Sequence, residues 1–481
     1  MASASKLLQN GTVLSFDEDT QSIKVLRNTS LLLLNGRIEA ISEDVPKLSI
    51  PENCEVIDVT GKILSPGFVN THLHAWMTAF RTISPDITLT HYFGWLGPSS
   101  ETAQKAFTPD GIYWSALEGF LEGLNGGVTT FLDHAHAAWS PEVLEKGYEA
   151  ALDSGARIWW CYEPSSSIPG FEMEKQWAAL TKIASVDTRN DLVPLGLSYQ
   201  GLAGAKGEEF TTVKKMISDL KLEAITIHHL GGPWPTMNSS PHSLVDQDLH
   251  TLGVPIILSH ASYLTNDEQK DLRDQNFHIS ITPESEFHYG HGQTTGHLVS
   301  DQASIGVDTA FTFSGDILTQ ARIWLQKARD VGFQEHLTKT GLLPRNTPLT
   351  AEQGFLLATR QGGKALWRDD IGVLKPGAKA DIVVFNGDSP NMLGWTDPVA
   401  AVMLHANVGD IEHVLVNGEF RKKDFKLVDG KHKWAEVKQK FLETAERAQA
   451  VARETMTAVP EKLWGHFPTG DVATYSTFKA T

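Results

Sequence analysis

Two histidines, His72 and His74, stand one residue apart at the end of a short apolar run in "LSPGFVNTHLHAW". In an extended strand, residues i and i+2 share a face at a spacing of about 7 Å, so two imidazoles placed this way can chelate one ion where the strand opens onto a cavity. The same spacing suits two polar residues on a solvated strand face, so the pair needs partners. Candidates follow other apolar runs: His228 after "EAITI", His260 after "VPIILS" and Asp308 after "ASIGV". Imidazole and carboxylate donors together suit zinc or another first-row divalent ion. The 19 histidines are grouped elsewhere too, at His134/His136 and His288/His291.

Residues this far apart in sequence need a scaffold that gathers strand ends. Candidate strands occur at 68–71, 128–132, 157–162, 195–199, 224–227, 255–259, 279–282 and 303–307, with amphipathic runs between them. Leu117, Phe120, Leu121 and Leu124 recur at helical spacing, "SPEVLEKGYEAALDSG" opens on Ser-Pro and closes on Gly, and Thr265 with Glu268 forms a capping box. Eight strands alternating with helices predict an α/β fold, a (β/α)8 TIM-type barrel over residues 65–371, whose active site forms on the rim at the C-terminal ends of the strands. Asn35-Gly36 and Asn417-Gly418 each supply a tight hairpin turn. Residues 1–64 and 372–430 are therefore expected to pair as one small β-sandwich domain built from both chain ends. Residues 431–481 read as a helical tail, exposed or docked.

Bulk properties narrow the partners. The chain has 481 residues, 41% hydrophobic and 21% charged, which is enough to bury a large core. A formal net charge of -17 argues against nucleic acid and anionic membranes, both of which need a basic face. Small molecules are the expected ligands. Two cysteines give no disulfide framework, and the start "MASASKLLQNG" has neither the basic nor the apolar region of a secretory signal. A soluble, cytoplasmic protein is expected.

With "PGFVNTHLH" opening the barrel and "LKPGAKADIVVF" following it, the chain resembles the amidohydrolase superfamily, in particular its deaminase and s-triazine hydrolase branch. The resemblance implies metal ligands His72 and His74 from the first strand, His228 from the fifth and Asp308 from the eighth, with His260 from the sixth nearer the substrate. It implies that Asp308 moves a proton from the nucleophilic water to the leaving group while His260 helps polarise the bond under attack. The fourth-strand region "VPLGLSYQG" has no lysine to carbamylate, so one metal is expected: Zn2+, with Fe2+ or Mn2+ accepting the same ligands. Asp316 competes with Asp308 for the carboxylate role, but reads as the start of a helix. The branch also suggests a homodimer.

Two departures bear on the chemistry. The branch's nucleobase deaminases place a glutamate three residues after the fifth-strand histidine, where this chain has Gly231 in "IHHLGGPW". It also has Ile281 where the branch commonly has a seventh-strand histidine. Glu284, Glu286, His288 and His291 stand nearby as candidate replacements or as solvated loop residues. His134 and His136 face the predicted rim, where Trp76, Phe80 and Trp139 would supply aromatic walls; His229 should point away. The leading expectation is hydrolysis of an amide or lactam carbon-nitrogen bond in a small cyclic or aromatic molecule. Alternatives are deamination or dechlorination of a heteroaromatic ring with Glu284 or Glu286 as proton shuttle, a lyase step on the same metal, or a non-catalytic metal-binding relative.

Overall fold

The computed structural model describes residues 5–166, 168–186, 191–205, 207–234, 239–456, 461–463 and 467–475. Eight parallel strands form one sheet in sequence order: Phe68–Leu73, Val128–Ala135, Arg157–Tyr162, Leu195–Ser198, Ile225–Leu230, Ile256–Ser262, His278–Ile281 and Ala303–Ile305. All eight fall where the apolar runs predicted them. The last strand returns to the first through a parallel bridge between Leu73 and Asp308, so the sheet curls into the expected barrel. Within it, Val69, Leu132, Trp159, Cys161, Ala224 and Ile257 make a separate buried apolar cluster with Ala365, Leu366 and Ile371. Val69 precedes His72, and Ile257 precedes His260, by three positions. A dry plug therefore underlies the histidines and fixes the height of the strand ends.

Local signals hold where they were strongest. The helix Pro109–Asn125 buries Leu117, Phe120 and Leu124. Ser140 caps Pro141–Ser154 by accepting from Val143 N, and Gly155 ends it at φ 72°. Thr265 and Glu268 form the capping box of Asn266–Asp274. Asn35 and Gly36 (φ 50° and 75°), like Asn417 and Gly418 (49° and 73°), take the left-handed backbone that their hairpins require.

Both chain ends meet in a second sheet. Ile63–Pro66 pairs antiparallel with Ile382–Phe385, and that ladder joins the N-terminal strands to Ile411–Val416 and Glu419–Lys423. The result is the expected small β domain built from both chain ends, one continuous mixed sheet of nine strands, with Ile63–Pro66 as the strand that leads into the barrel. Leu8, Val13, Leu31, Leu33, Leu64, Ile382, Val384 and Leu415 form its own core. Arg157, at the base of the third barrel strand, clamps the two sheets by a buried two-point contact with Asp381 (3.0 and 3.2 Å). The tail helix Trp434–Thr455 is docked: it buries Val437, Phe441, Ala445, Ala448 and Ala452, and Gln449 Nε2 donates to the carbonyls of Ala79 and Arg81.

Candidate metal centre and its pocket

His72 lies inside the first strand, while His74 sits just beyond it, on the residue that starts the short helix Ala75–Phe80. His228 comes from the fifth strand, and Asp308 follows the eighth with φ 72°. His260, inside the sixth, is also left-handed at φ 74°. Such backbone is costly for residues with a Cβ and persists where the surroundings over-determine it, as at functional sites. One donor atom from each of His72, His74, His228 and Asp308 lies within 4.8 Å of the others, and all four residues are buried. Asp316 instead caps the helix Ile317–Thr340 by accepting from Leu318 N.

The donor set fits a divalent ion. His72 Nε2 is buried and lacks a hydrogen-bond partner, yet lies 3.3 Å from Asp308 Oδ1; His74 Nε2 lies 3.2 Å from the same oxygen. Donors about 3.3 Å apart are what bonds of about 2.0–2.1 Å in a tetrahedron produce. The remaining atoms of the ligands are already engaged. His72 Nδ1 meets Ser259 Oγ at 2.7 Å, His74 Nδ1 meets the His134 carbonyl at 2.9 Å, and Ser285 Oγ donates to Asp308 Oδ2 at 2.5 Å. Each ring is thus turned with Nε2 toward the centre, the orientation that outer partners give metal-binding histidines. Burial pushes Asp308 toward protonation, but the rings of His72 and His74 outweigh it and hold the carboxyl well below the usual carboxylate range. Burial keeps His228 and His260 far below the ordinary histidine value, hence neutral and able to donate an electron pair.

Above the centre lies a cavity of about 220 Å³ lined by His74, His136, Glu163, Gln200, His228, His260, His291 and Asp308, with walls from Leu89, Tyr92, Phe93, Pro98, Leu230 and Tyr289. His136 stacks on His74 at 3.9 Å between centroids. His260 is aimed by Thr282 Oγ1, 2.7 Å from its Nδ1, and its ring is 4.6 Å from that of His291. Both nitrogens of His291 are buried without a partner.

Not every residue expected here reaches the cavity. Trp76 stands one layer behind, donating from Nε1 to His136 Nδ1 at 2.9 Å. Glu286 is buried but off the cavity wall: its Oε1 accepts from Thr282 N at 2.9 Å, so it braces the turn that aims His260. Glu284 accepts from Gln320 Nε2 at 2.7 Å, and His288 packs beside Phe313. These two lie outside the pocket because 283–288 is a helix, on which positions four apart share a face, here turned away from the metal centre. His229 is off the cavity as alternation requires, with both ring nitrogens buried and unpartnered. Gly231 is tightly packed: a Cβ there would lie 3.0 Å from both Ser262 O and Tyr263 Cβ, so its neighbours would have to give by a few tenths of an ångström.

Two polar residues of the pocket escaped the sequence reading. Glu163 directly follows the third strand, and Gln200 follows the fourth by two residues. Glu163 Oε2 lies 2.6 Å from His134 Nε2, and the Gln200 amide nitrogen lies 2.6 Å from His228 Nδ1 and 3.4 Å from Glu163 Oε2. Burial pushes the Glu163 carboxyl up to about 7. The rule that picked out the fifth, sixth and eighth strand ends would have found both, applied to "WWCYEP" and "LSYQG".

A model of the amidohydrolase family matches residues 63–175 and 254–421, more than half of the chain. The chain belongs to the amidohydrolase family. As an amidohydrolase with a buried His3Asp metal site, it is a metal-dependent hydrolase of non-peptide carbon-nitrogen bonds. Among curated relatives it is 27% identical to a 5-methylthioadenosine/S-adenosylhomocysteine deaminase of Thermococcus sibiricus over 376 residues, 75% of this chain and 83% of that protein. It is 24% identical to the enzyme of the same name from Acetivibrio thermocellus over 392 residues, 77% and 84% of the two chains. Its fold matches atrazine chlorohydrolase from Arthrobacter aurescens TC1, solved with zinc, at a TM-score of 0.73 and 19% identity, covering 92% of this chain and all of that one (100%). An adenosine deaminase from Xanthomonas campestris with bound zinc superposes at 0.75 with 17% identity, covering 93% and 99%.

Proposed function

We propose that this amidohydrolase cleaves an amide or lactam carbon-nitrogen bond in a small cyclic or aromatic molecule, using one zinc ion held by His72, His74, His228 and Asp308. The observation that carries the reading is the convergence of these four donors beneath a pocket on whose wall His260 stands. When bound, such an ion lowers the pKa of water toward about 7 and polarises a carbonyl. Asp308 accepts the proton of the attacking water and delivers it to the leaving nitrogen. Its low proton affinity fits that transient role, since it enters each cycle ionised. In the tautomer whose Nδ1 accepts from the Thr282 hydroxyl 2.7 Å away, His260 donates from Nε2 to the oxygen on which charge develops.

An amide or lactam suits the site because a single proton carrier suffices. The glutamate that serves the branch as ring-nitrogen shuttle is replaced by Gly231, and neither Glu284 nor Glu286 lines the pocket. A second reading, deamination or dechlorination of a heteroaromatic ring, is favoured by the relatives' names and by one observation: Glu163 puts a second carboxylate in the cavity. The zinc assignment draws on the zinc-bound structural neighbours, and the same ligands accept iron or manganese. We place the protein in the cytoplasm, as a homodimer, acting on a small molecule and on neither nucleic acid nor membrane. In support, no helix among the described residues is long and apolar enough to cross a membrane.

The test is elemental analysis of wild type beside a His72→Ala/His74→Ala variant, followed by a screen of lactams, aryl amides and amino-heterocycles. About one equivalent of transition metal, lost in the variant, with turnover of amides or lactams is the expected result. Absence of metal after incubation with zinc would overturn the hydrolase reading, and turnover confined to amino-heterocycles would move the assignment to the second one.

A further inference from the structure

Glu163 has no part in the proposed metal centre, yet it is held with care. Its side chain is 15% exposed, and that exposure is to the cavity. Oε2 is occupied by the His134 ring at 2.6 Å and the Gln200 amide at 3.4 Å, while Oε1 takes no hydrogen bond from the described residues. A carboxylate offers about four acceptor positions, and leaving them unmatched away from bulk water is costly. His134 is fully buried and Gln200 bridges to His228, so the carboxylate cannot swing away to solvent without breaking both contacts.

The rest of the lining indicates what would match it. The carboxyl-bearing side chains on the described cavity wall are Glu163 and Asp308, and no lysine or arginine is among the described lining residues. Among the described lining residues, a carboxylate or phosphate group on a ligand would meet no lysine or arginine to balance its charge. The walls are apolar and aromatic, from Leu89, Tyr92, Phe93, Leu230 and Tyr289. The volume of about 220 Å³ lies below the ~300–1,000 Å³ usual for drug-sized ligands.

We propose that Glu163 is the specificity residue of this pocket, its free oxygen accepting N–H hydrogen bonds from an amidinium, guanidinium or primary ammonium group on a small aromatic or alicyclic substrate. The inference rests on the metal-hydrolase reading only in taking this cavity as the substrate site. A charge-assisted contact of this kind is about twice as strong as a neutral one, and its geometry discriminates a cationic nitrogen from a neutral isostere.

The experiment compares benzamidine with benzamide, two probes of the same shape, by calorimetric titration of the metal-loaded full chain. Wild type is expected to bind benzamidine about tenfold more tightly than benzamide, a difference of about 1.4 kcal/mol. Glu163→Gln should bring the two within about twofold with metal content unchanged, and Glu163→Asp, which keeps the charge, should retain the preference. An equal preference in wild type and Glu163→Gln, or no binding of benzamidine to wild type, would overturn the proposal. Loss of metal in Glu163→Gln would also overturn it, because Glu163 would then act through His228 rather than on the ligand. Loss of metal in wild type is a different failure, that of the hydrolase reading.

Discussion

Asp308 meets His72 twice: its backbone N–H donates to the His72 carbonyl at 2.9 Å, and its Oδ1 lies 3.3 Å from His72 Nε2. The hydrogen bond that returns the eighth strand to the first is therefore also the bond that sets the carboxylate against the histidine pair. The contact that closes the barrel thus also positions the carboxylate, on a residue with left-handed backbone at φ 72°.

Asp308→Asn separates the two roles. Asparagine tolerates the left-handed region, so the backbone bond and the fold should persist. Activity should fall by about 100-fold or more as the proton carrier is lost. Circular dichroism beside a turnover assay checks this; full activity in the Asp308→Asn variant would remove Asp308 from the proposed chemistry.

Ser259→Ala leaves all four ligands in place but removes the hydroxyl 2.7 Å from His72 Nδ1. Loss of an outer partner typically costs about 10–100-fold in metal affinity. Competition against a chelator of known affinity measures it, and unchanged affinity would show that packing alone orients the ring.

Glu286 gives stability a pH slope of defined sign. Burial, partly offset by the Thr282 N–H, raises its carboxyl from 4.5 to about 8 in the folded chain. Below the unfolded value both states hold the proton and burial has no pH-dependent effect. Between the two values only the folded state holds it, so stability falls as pH rises, and the loss is complete above the folded value. Glu286→Gln keeps an oxygen for Thr282 N and removes the slope. Its stability advantage over wild type should grow by at most about 1.4 kcal/mol per pH unit through this window. Urea unfolding at several pH values reads it, and a constant difference would refute the account.

Gly231→Ala tests whether the departure from the branch is built into the packing. The new methyl would press on Ser262 O and Tyr263 Cβ at 3.0 Å. A loss of about 1–3 kcal/mol in unfolding free energy is expected, with metal content unchanged. An unaffected midpoint would mean that a glutamate could be restored there after all.

Much of this protein is legible before any coordinates. The candidate ligands His72, His74, His228 and Asp308, and His260 beside them, follow local apolar runs, and in a parallel barrel every strand end points to the same rim, so they converge wherever the intervening helices go. The Asn-Gly turns and the capping residues are equally local, because each satisfies its own backbone. Tertiary structure alone decided what stands around those ligands. A one-turn helix at 283–288 carried Glu284 and His288 away from the pocket and left Glu286 as a brace, a rotation that residue types do not encode. The pairing of Ile63–Pro66 with Ile382–Phe385, more than 300 residues apart, set the register in which the two chain ends share one sheet. Glu163 acquired its meaning only when Gln200 and His134, from neighbouring strands, closed on the same carboxylate oxygen and left the other to the cavity. Hydrogen-bond partners between strands depend on register and loop path, and single-strand periodicity carries neither.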